Sequence, residues 1–477
     1  MKTDHSTGPL TDETVAKLHE WIDANIDLMV SALQGAVQIP SVQSDPAPGA
    51  PYGVNCRAAL DYTLNLCASL GFDIHNDEGY AGHAEFGTGD EMVAALGHLD
   101  VVPEGDGWTL PPYGAVLQDG YIYGRGSADD KGPSYAALFA ATALLKLNIP
   151  LSRRIRLVFG CNEESGFGCV HHYWEVSKNE RPVAAFTPDA GFPLIYAEKG
   201  IANIIIEKPT QLAAGGLSIA HFEGGRRPNM VPDYARALIK GGAAELDGAL
   251  AELSKFWDRN VISEWTSDGV VVIAIGKSAH GAGPDAGDNA ISRLARALLS
   301  LKQPEWNELL SWINTASETT GHILGIAHTD DIAGPLTSNL GVAETTDTGL
   351  IRLTYNIRYP VTWSIHLLLA NLQLAIDKAG WALVEHFDQP PLYVSLDQEP
   401  VATLLRVYRE ETGDLTSEPR TMGGGTYARA TPHAIAYGPS FPGGNDGPAH
   451  EPDEKFSLQT YTRAAKIYSH ALFELAR

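Results

Sequence analysis

The sequence predicts an α/β fold, in which a mostly parallel sheet flanked by helices is interrupted by an inserted α+β domain. Three observations predict it. Short apolar runs alternate with helical stretches through the first part of the chain, the pattern that builds parallel sheets. Beyond Glu198 the texture shifts to runs typical of antiparallel strands. The length, 477 residues, exceeds the size at which one hydrophobic core stops growing, so two domains are expected.

Taken in order, residues from Thr11 to Leu33 carry apolar side chains at helical spacing, with Thr11 and Asp12 as caps. The proline-rich PSVQSDPAPGAPYG reads as a loop, and Cys56 to Leu70 as a helix stopped by Gly71. Met92 to Leu96 is a short strand that delivers GHLD. Tyr121 and Tyr123 lead into GRGSADD, and Pro133 to Leu147 is an alanine- and leucine-rich helix. Ile155–Phe159 and Val183–Phe186 are further strands. In parallel sheets ligands bind beyond the carboxyl ends of the strands. His98, Glu163, Glu164 and Asp189 all follow such ends.

Residues 197–385 read as the inserted domain, with 1–196 and 386–477 forming the two parts of the first. Within the insert, KGIANIIIEK, VVVIAIGKSAHG and LIRLTYNIRYP read as strands. Tyr234–Leu253 and Asn289–Leu299 read as helices. Val401–Glu411 is a helix entered through Pro400.

Composition narrows the function classes. The formal net charge of −24 repels nucleic acid and anionic lipid, and no basic cluster relieves it. No window approaches the roughly 20 apolar residues that span a bilayer. The N-terminal MKTDHSTGPL lacks the apolar core of a signal peptide. Cys56, Cys67, Cys161 and Cys169 have no scaffold-like spacing and read as buried free thiols of a reduced compartment. The expected location is cytoplasmic.

The chemistry lies in scattered carboxylates and imidazoles: His98 and Asp100 in GHLDVVP, Asp129 in GRGSADDKG, Glu163 and Glu164 in FGCNEES, Asp189 in TPDAG, His450 in GPAHEPDE. Two imidazoles with several carboxylates suit a pair of divalent metals. A metal-bound imidazole needs an acceptor on its second nitrogen. Asp100 is that candidate, since residues two apart on extended backbone share a face. Asp129 or Asp130 could bridge two ions, and spacing does not choose between them. Both also suit the start of the following helix. Glu163 and Glu164, if extended, face opposite ways, so one can ligate while the other handles the proton of an activated water. Asp189 in isolation suits a turn beside Pro188 and Gly191.

In this order, GHLDVVP, GRGxxDxKG, the Glu pair, the later Asp and the C-terminal His resemble the motifs of the M20 metallopeptidases. The resemblance spans nearly the whole chain. ADDKGP, TPDAGFP, RPNMVPD and the large insert resemble in particular its PepV-like (Xaa-His dipeptidase, carnosinase-like) group. That resemblance implies a di-metal hydrolase catalytic domain with a lid, acting as a zinc-dependent dipeptidase. It implies Asp129 as bridging ligand, His98 and Asp189 on one ion, and Glu164 and His450 on the other. The peptide after Asp129 is often cis in the family. Asp100 would orient, and Glu163 would serve as general base. In the lid, His280 in GKSAHGAGP would stabilise the oxyanion. Asn229, Arg358 and Gly424 (within GGGTYAR) would bind substrate, Arg358 by a bidentate grip on a free carboxylate.

The expected cofactors are two divalent ions, Zn2+ foremost and Mn2+ or Co2+ as substitutes. The expected partner is a small peptide, not nucleic acid or membrane, and the expected state a monomer, with a homodimer the alternative. An M20-type deacylase or carboxypeptidase acting on N-acyl amino acids shares every metal ligand and differs at the pocket walls. A binding protein that has lost catalysis is opposed by the intact Glu163 and Asp100.

Overall fold

A computed structural model describes residues 9–209, 213–214, 216–444 and 447–477. The chain forms two compact units. One comprises the chain up to Tyr196 with Tyr393–Arg420 and Gly425–Arg477; the other comprises Ala197–Leu392 with Thr421–Gly424. The sequence reading ends the insert at residue 385. The structure continues it to Leu392, because strand Ala382–Gln389 pairs with Gly200–Pro209 at the edge of the second unit's sheet.

In the first unit, strands Arg154–Gly160, Met92–His98, Ala184–Thr187 and Ala434–Ala436 lie side by side and parallel. Every residue of Met92–His98 is buried, as a strand covered on both faces must be. The hairpin Asp73–Asp77 and Ala81–Phe86 extends the sheet antiparallel. Helix Lys131–Lys146 is buried from Lys131 to Leu144, which explains its alanine content. It packs against the sheet and the C-terminal helix Leu458–Ala476.

The N-terminal helix differs from expectation. It begins at Pro9, so Thr11 and Asp12 fall inside it, and it breaks at Asn25 before a second helix, Ile26–Val37. Helix Val54–Leu70 ends at Gly71 with φ 104°, a left-handed stop that favours glycine. All four cysteines are free and buried.

The second unit is built on a nine-stranded antiparallel sheet with its own core. In Gly200–Pro209 burial alternates residue by residue, the mark of a strand with one covered face. The expected helix Tyr234–Leu253 divides in two. Tyr234–Lys240 is a strand held between Leu217–Gly224 and Gly269–Ile275, and only Ala243–Leu253 is helical. Helix Ala290–Leu299 starts where expected, with the Asn289 side chain accepting from the Ile291 and Ser292 amides. No described helix is long and apolar enough to cross a membrane.

Candidate metal centre

Strands Met92–His98 and Arg154–Gly160 end level, His98 beside Gly160, with Ala184–Thr187 ending near Leu96 alongside them. The segments that leave them therefore start from one edge of the sheet. His98 terminates its strand and is buried. Its Nε2 lies 2.9 Å from Asp129 Oδ1 and 3.9 Å from Asp189 Oδ2. The other oxygen of the same carboxylate, Asp129 Oδ2, lies 3.0 Å from His450 Nε2. That imidazole nitrogen is also 3.2 Å from Glu164 Oε2. Asp129 thus stands between two imidazoles, one oxygen towards each. The Asp129–Asp130 peptide is cis. His98, Asp129 and Glu164 form one group whose ligand atoms all lie within 4.8 Å of one another, and His98, Glu163 and Asp189 another.

The Asp100 carboxylate does more than accompany His98. The ring Nδ1 is 2.9 Å from the Asp100 backbone carbonyl and 3.6 Å from its Oδ1. The two carboxylate oxygens instead accept the amides of Glu163 at 3.1 Å and Glu164 at 3.2 Å. Glu163 and Glu164 lie in a turn, not on the extended backbone the sequence suggested. Because Asp100 gathers both amides, both glutamates stay with the cluster rather than parting to opposite faces.

Asp130 turns inward. It is fully buried, and its Oδ2 accepts from Ser134 Oγ at 2.8 Å and from the His98 amide at 3.2 Å. It occupies the N-cap position of helix Lys131–Lys146 without a side-chain bond to that helix's first amides.

The electrostatics are those of acids crowded out of water. Burial raises Glu163 well above the usual carboxylate range, and Glu164, Asp129 and Asp100 raise it further against the pull of His98. Burial and then Asp129 raise Glu164. Asp189 is raised well up by burial and by Asp129, Asp130 and Glu163. Asp129 goes the other way: burial opposes its charge, but the hydrogen bonds from His450 and His98 outweigh it and lower its pKa. The bonds to Asp129 and Glu164 lift His450 to about 10. Glu164 Oε1 is buried with no hydrogen-bond partner among the described residues. Such a concentration of negative charge, with a buried oxygen unsatisfied, fits divalent cations, which would bring the raised carboxylates and His450 back down. Two imidazoles among carboxylates also match the donor preferences of zinc and its neighbours.

Two residues here escaped the sequence reading. Arg125 and Glu454 are buried and paired beneath the Asp129 loop. The signal was available, since both lie inside the motifs quoted for other residues.

The remaining candidates belong to the second unit. Met230 and His280 form an antiparallel bridge, and the Gly281 amide donates to the Asn229 carbonyl at 2.7 Å. The Asn229 and His280 side chains are exposed. His280 Nδ1 accepts from the Ala282 amide at 3.1 Å, so in the neutral ring the proton sits on Nε2. Arg358 is buried. Its Nε donates to Asn356 Oδ1 at 2.9 Å and its Nη1 to the Gly423 carbonyl at 2.9 Å. That bond joins it to the segment that carries Gly424.

Comparison with known proteins agrees with this architecture. The profile of peptidase family M20/M25/M40 matches residues 94–474. A Bacillus subtilis protein named "Putative dipeptidase YtjP" is 36% identical over 460 residues, covering 94% of this chain and 97% of its own. A Staphylococcus epidermidis protein named "Putative dipeptidase" is 34% identical over 464 residues, covering 94% and 97%. Among solved structures, human carnosine dipeptidase 1 superimposes with TM-score 0.59 at 16% identity, over 97% of this chain and 98% of that one. A metallo-carboxypeptidase from Sulfolobus solfataricus gives 0.58 at 18% identity, over 94% and 99%. At those identities the structures speak for the fold.

Proposed function

Given that the chain belongs to peptidase family M20/M25/M40, we propose that it is a metal-dependent dipeptidase hydrolysing dipeptides with a free C-terminal carboxylate. The observation that carries the reading is the Asp129 carboxylate, with one oxygen 2.9 Å from His98 and the other 3.0 Å from His450. A carboxylate so disposed suits a bridge between two ions. Asp129 would bridge, with His98 and Asp189 on one ion, and Glu164 and His450 on the other. Two divalent ions, Zn2+ foremost with Mn2+ or Co2+ as substitutes, would polarise the scissile carbonyl and lower the pKa of the attacking water.

The protein's own groups do the rest. Glu163 takes the proton from the attacking water and returns it to the leaving amine. Asp100 keeps Glu163 and Glu164 in their turn through the two amides. His280 donates from Nε2 to the oxyanion that develops on the carbonyl oxygen, a role supported by the acceptor bond at its Nδ1. Asn229, Arg358 and the backbone at Gly424 hold the substrate's carboxylate end. Arg358 supplies the positive charge and fixes the neighbouring Gly423 carbonyl.

A hydrolysis screen tests this reading. Dipeptides, their C-terminally amidated forms, tripeptides and N-acetyl amino acids would be compared with and without added Zn2+ or Mn2+. Free dipeptides should be cleaved fastest, and chelation should abolish turnover. Preferential cleavage of N-acetyl amino acids would favour the deacylase alternative.

A further inference from the structure

The segment that brings His450 to the cluster also brings Glu454, and its placement follows from strand register. Strand Lys455–Ser457 pairs antiparallel with Tyr121–Tyr123, Lys455 opposite Tyr123. Glu454 then meets Gly124, whose amide donates to the Glu454 carbonyl at 2.9 Å. From there the side chain runs beneath the GRGSADD loop and is fully buried. Its Oε1 accepts the Ala128 amide at 2.9 Å and the Asp129 amide at 3.2 Å. Its Oε2 takes Arg125 Nη1 at 2.6 Å. Arg125 is 1% exposed, and its Nη2 donates onward to the Glu104 carbonyl at 3.1 Å. Asp453 adds a tie of its own, accepting the Thr109 amide at 2.8 Å and the Thr109 hydroxyl at 2.9 Å.

A buried ion pair is a poor device for stability alone, because apolar residues of similar volume serve as well or better. Apolar residues cannot hold two adjacent amides on one oxygen. Those amides fix the peptide plane that leads into Asp129, and so the direction its side chain takes. The same glutamate lies four residues beyond His450 and anchors the end of its loop.

We propose that Glu454, with Arg125 as its counter-charge, is a positioning residue that sets the spacing between Asp129 and His450. This rests on the metal reading given above and adds to it the group that holds the two halves of the centre in register. The ion shared by Asp129, Glu164 and His450 depends on it most, since two of those ligands lie on the segments Glu454 joins.

The test uses Glu454→Gln and, so that no buried charge is left unpaired, the double variant Arg125→Met/Glu454→Gln. In metal-free protein, hydrogen exchange over residues 126–130 and 447–452 should run roughly tenfold faster in both variants. Exchange over Met92–His98 and the C-terminal helix should stay unchanged. In titrations with Mn2+ as the probe, wild type should take up two ions, and the variants should hold one of them about 10- to 100-fold more weakly. Unchanged exchange at both segments, a uniform rise across the unit, or unaltered Mn2+ affinities would each overturn the proposal. Wild-type protein that takes up no Mn2+ would overturn the metal reading itself, a separate failure.

Discussion

Glu163 sits where the division of labour within the cluster is decided. It groups with His98 and Asp189 at ligand distances, yet its proposed task is proton transfer. Replacement separates the two roles. Glu163→Ala should lower turnover by about 100- to 10,000-fold while metal content, measured by atomic emission, stays at the wild-type value. Parallel loss of metal and activity would move Glu163 into the ligand set. Asp100 acts through the backbone, so Asp100→Ala frees the amides of both glutamates at once. Activity or metal affinity should fall by about 10- to 100-fold. A variant that unfolds more readily but binds metal and turns over normally would remove Asp100 from the site. At this scale spacing left Asp129 and Asp130 open, and only the resemblance to the M20 motifs singled out Asp129. In the structure Asp130 turns to Ser134 and the His98 amide, an orientation that no spacing rule reveals.

Among the elements, a carboxylate clamp joins three helices of the first unit. Glu411, on helix Val401–Thr412, accepts from His470 Nδ1 at 2.7 Å, and His19 Nε2 lies 3.4 Å away. His19 comes from the N-terminal helix and His470 from the C-terminal one. Burial opposes the Glu411 charge, but the two imidazoles prevail and hold its pKa at about 2. A carboxylate depressed in the folded state stabilises above its unfolded pKa, about 4.3. That stabilisation is lost as pH falls towards the folded value. Glu411→Gln should therefore flatten the acid limb of the stability curve between about pH 5 and pH 2, by on the order of 2 kcal/mol. Urea unfolding across that range reads it out, and identical acid limbs would contradict the clamp.

The segment Tyr234–Lys240 shows where element assignment from sequence fails. Its alanines and leucine have good helix propensity, but strands on both sides claim its backbone. Pairing is non-local, so the information lies outside the segment. Asn289 was legible because a cap acts on its own neighbours.

For the molecule as a whole, two separate cores imply two sources of stability, and the clustered candidate ligands all lie in one unit. Metal binding should therefore stabilise the folded chain by mass action. Free metal at about 100 times its Kd contributes about 2.7 kcal/mol, or on the order of 5 °C of melting temperature for a unit of this size. A chelator titration followed by calorimetry measures this. An unchanged melting profile would argue that no ion is held in the folded centre.

The sequence by itself determined the alternation of strands and helices, the insert, and the histidines and acids waiting at strand ends. Hydrophobic periodicity and local caps write these directly into neighbouring residues. Tertiary structure alone decided what each acid touches. Asp129 faces two imidazoles while Asp130 is buried away. Asp100 serves amides as much as His98, and Glu454 spans from the far end of the chain to the Asp129 loop. Each of these depends on hydrogen bonds between segments remote in sequence. Burial then makes those bonds obligatory, because a charge removed from water must find its partners within the protein.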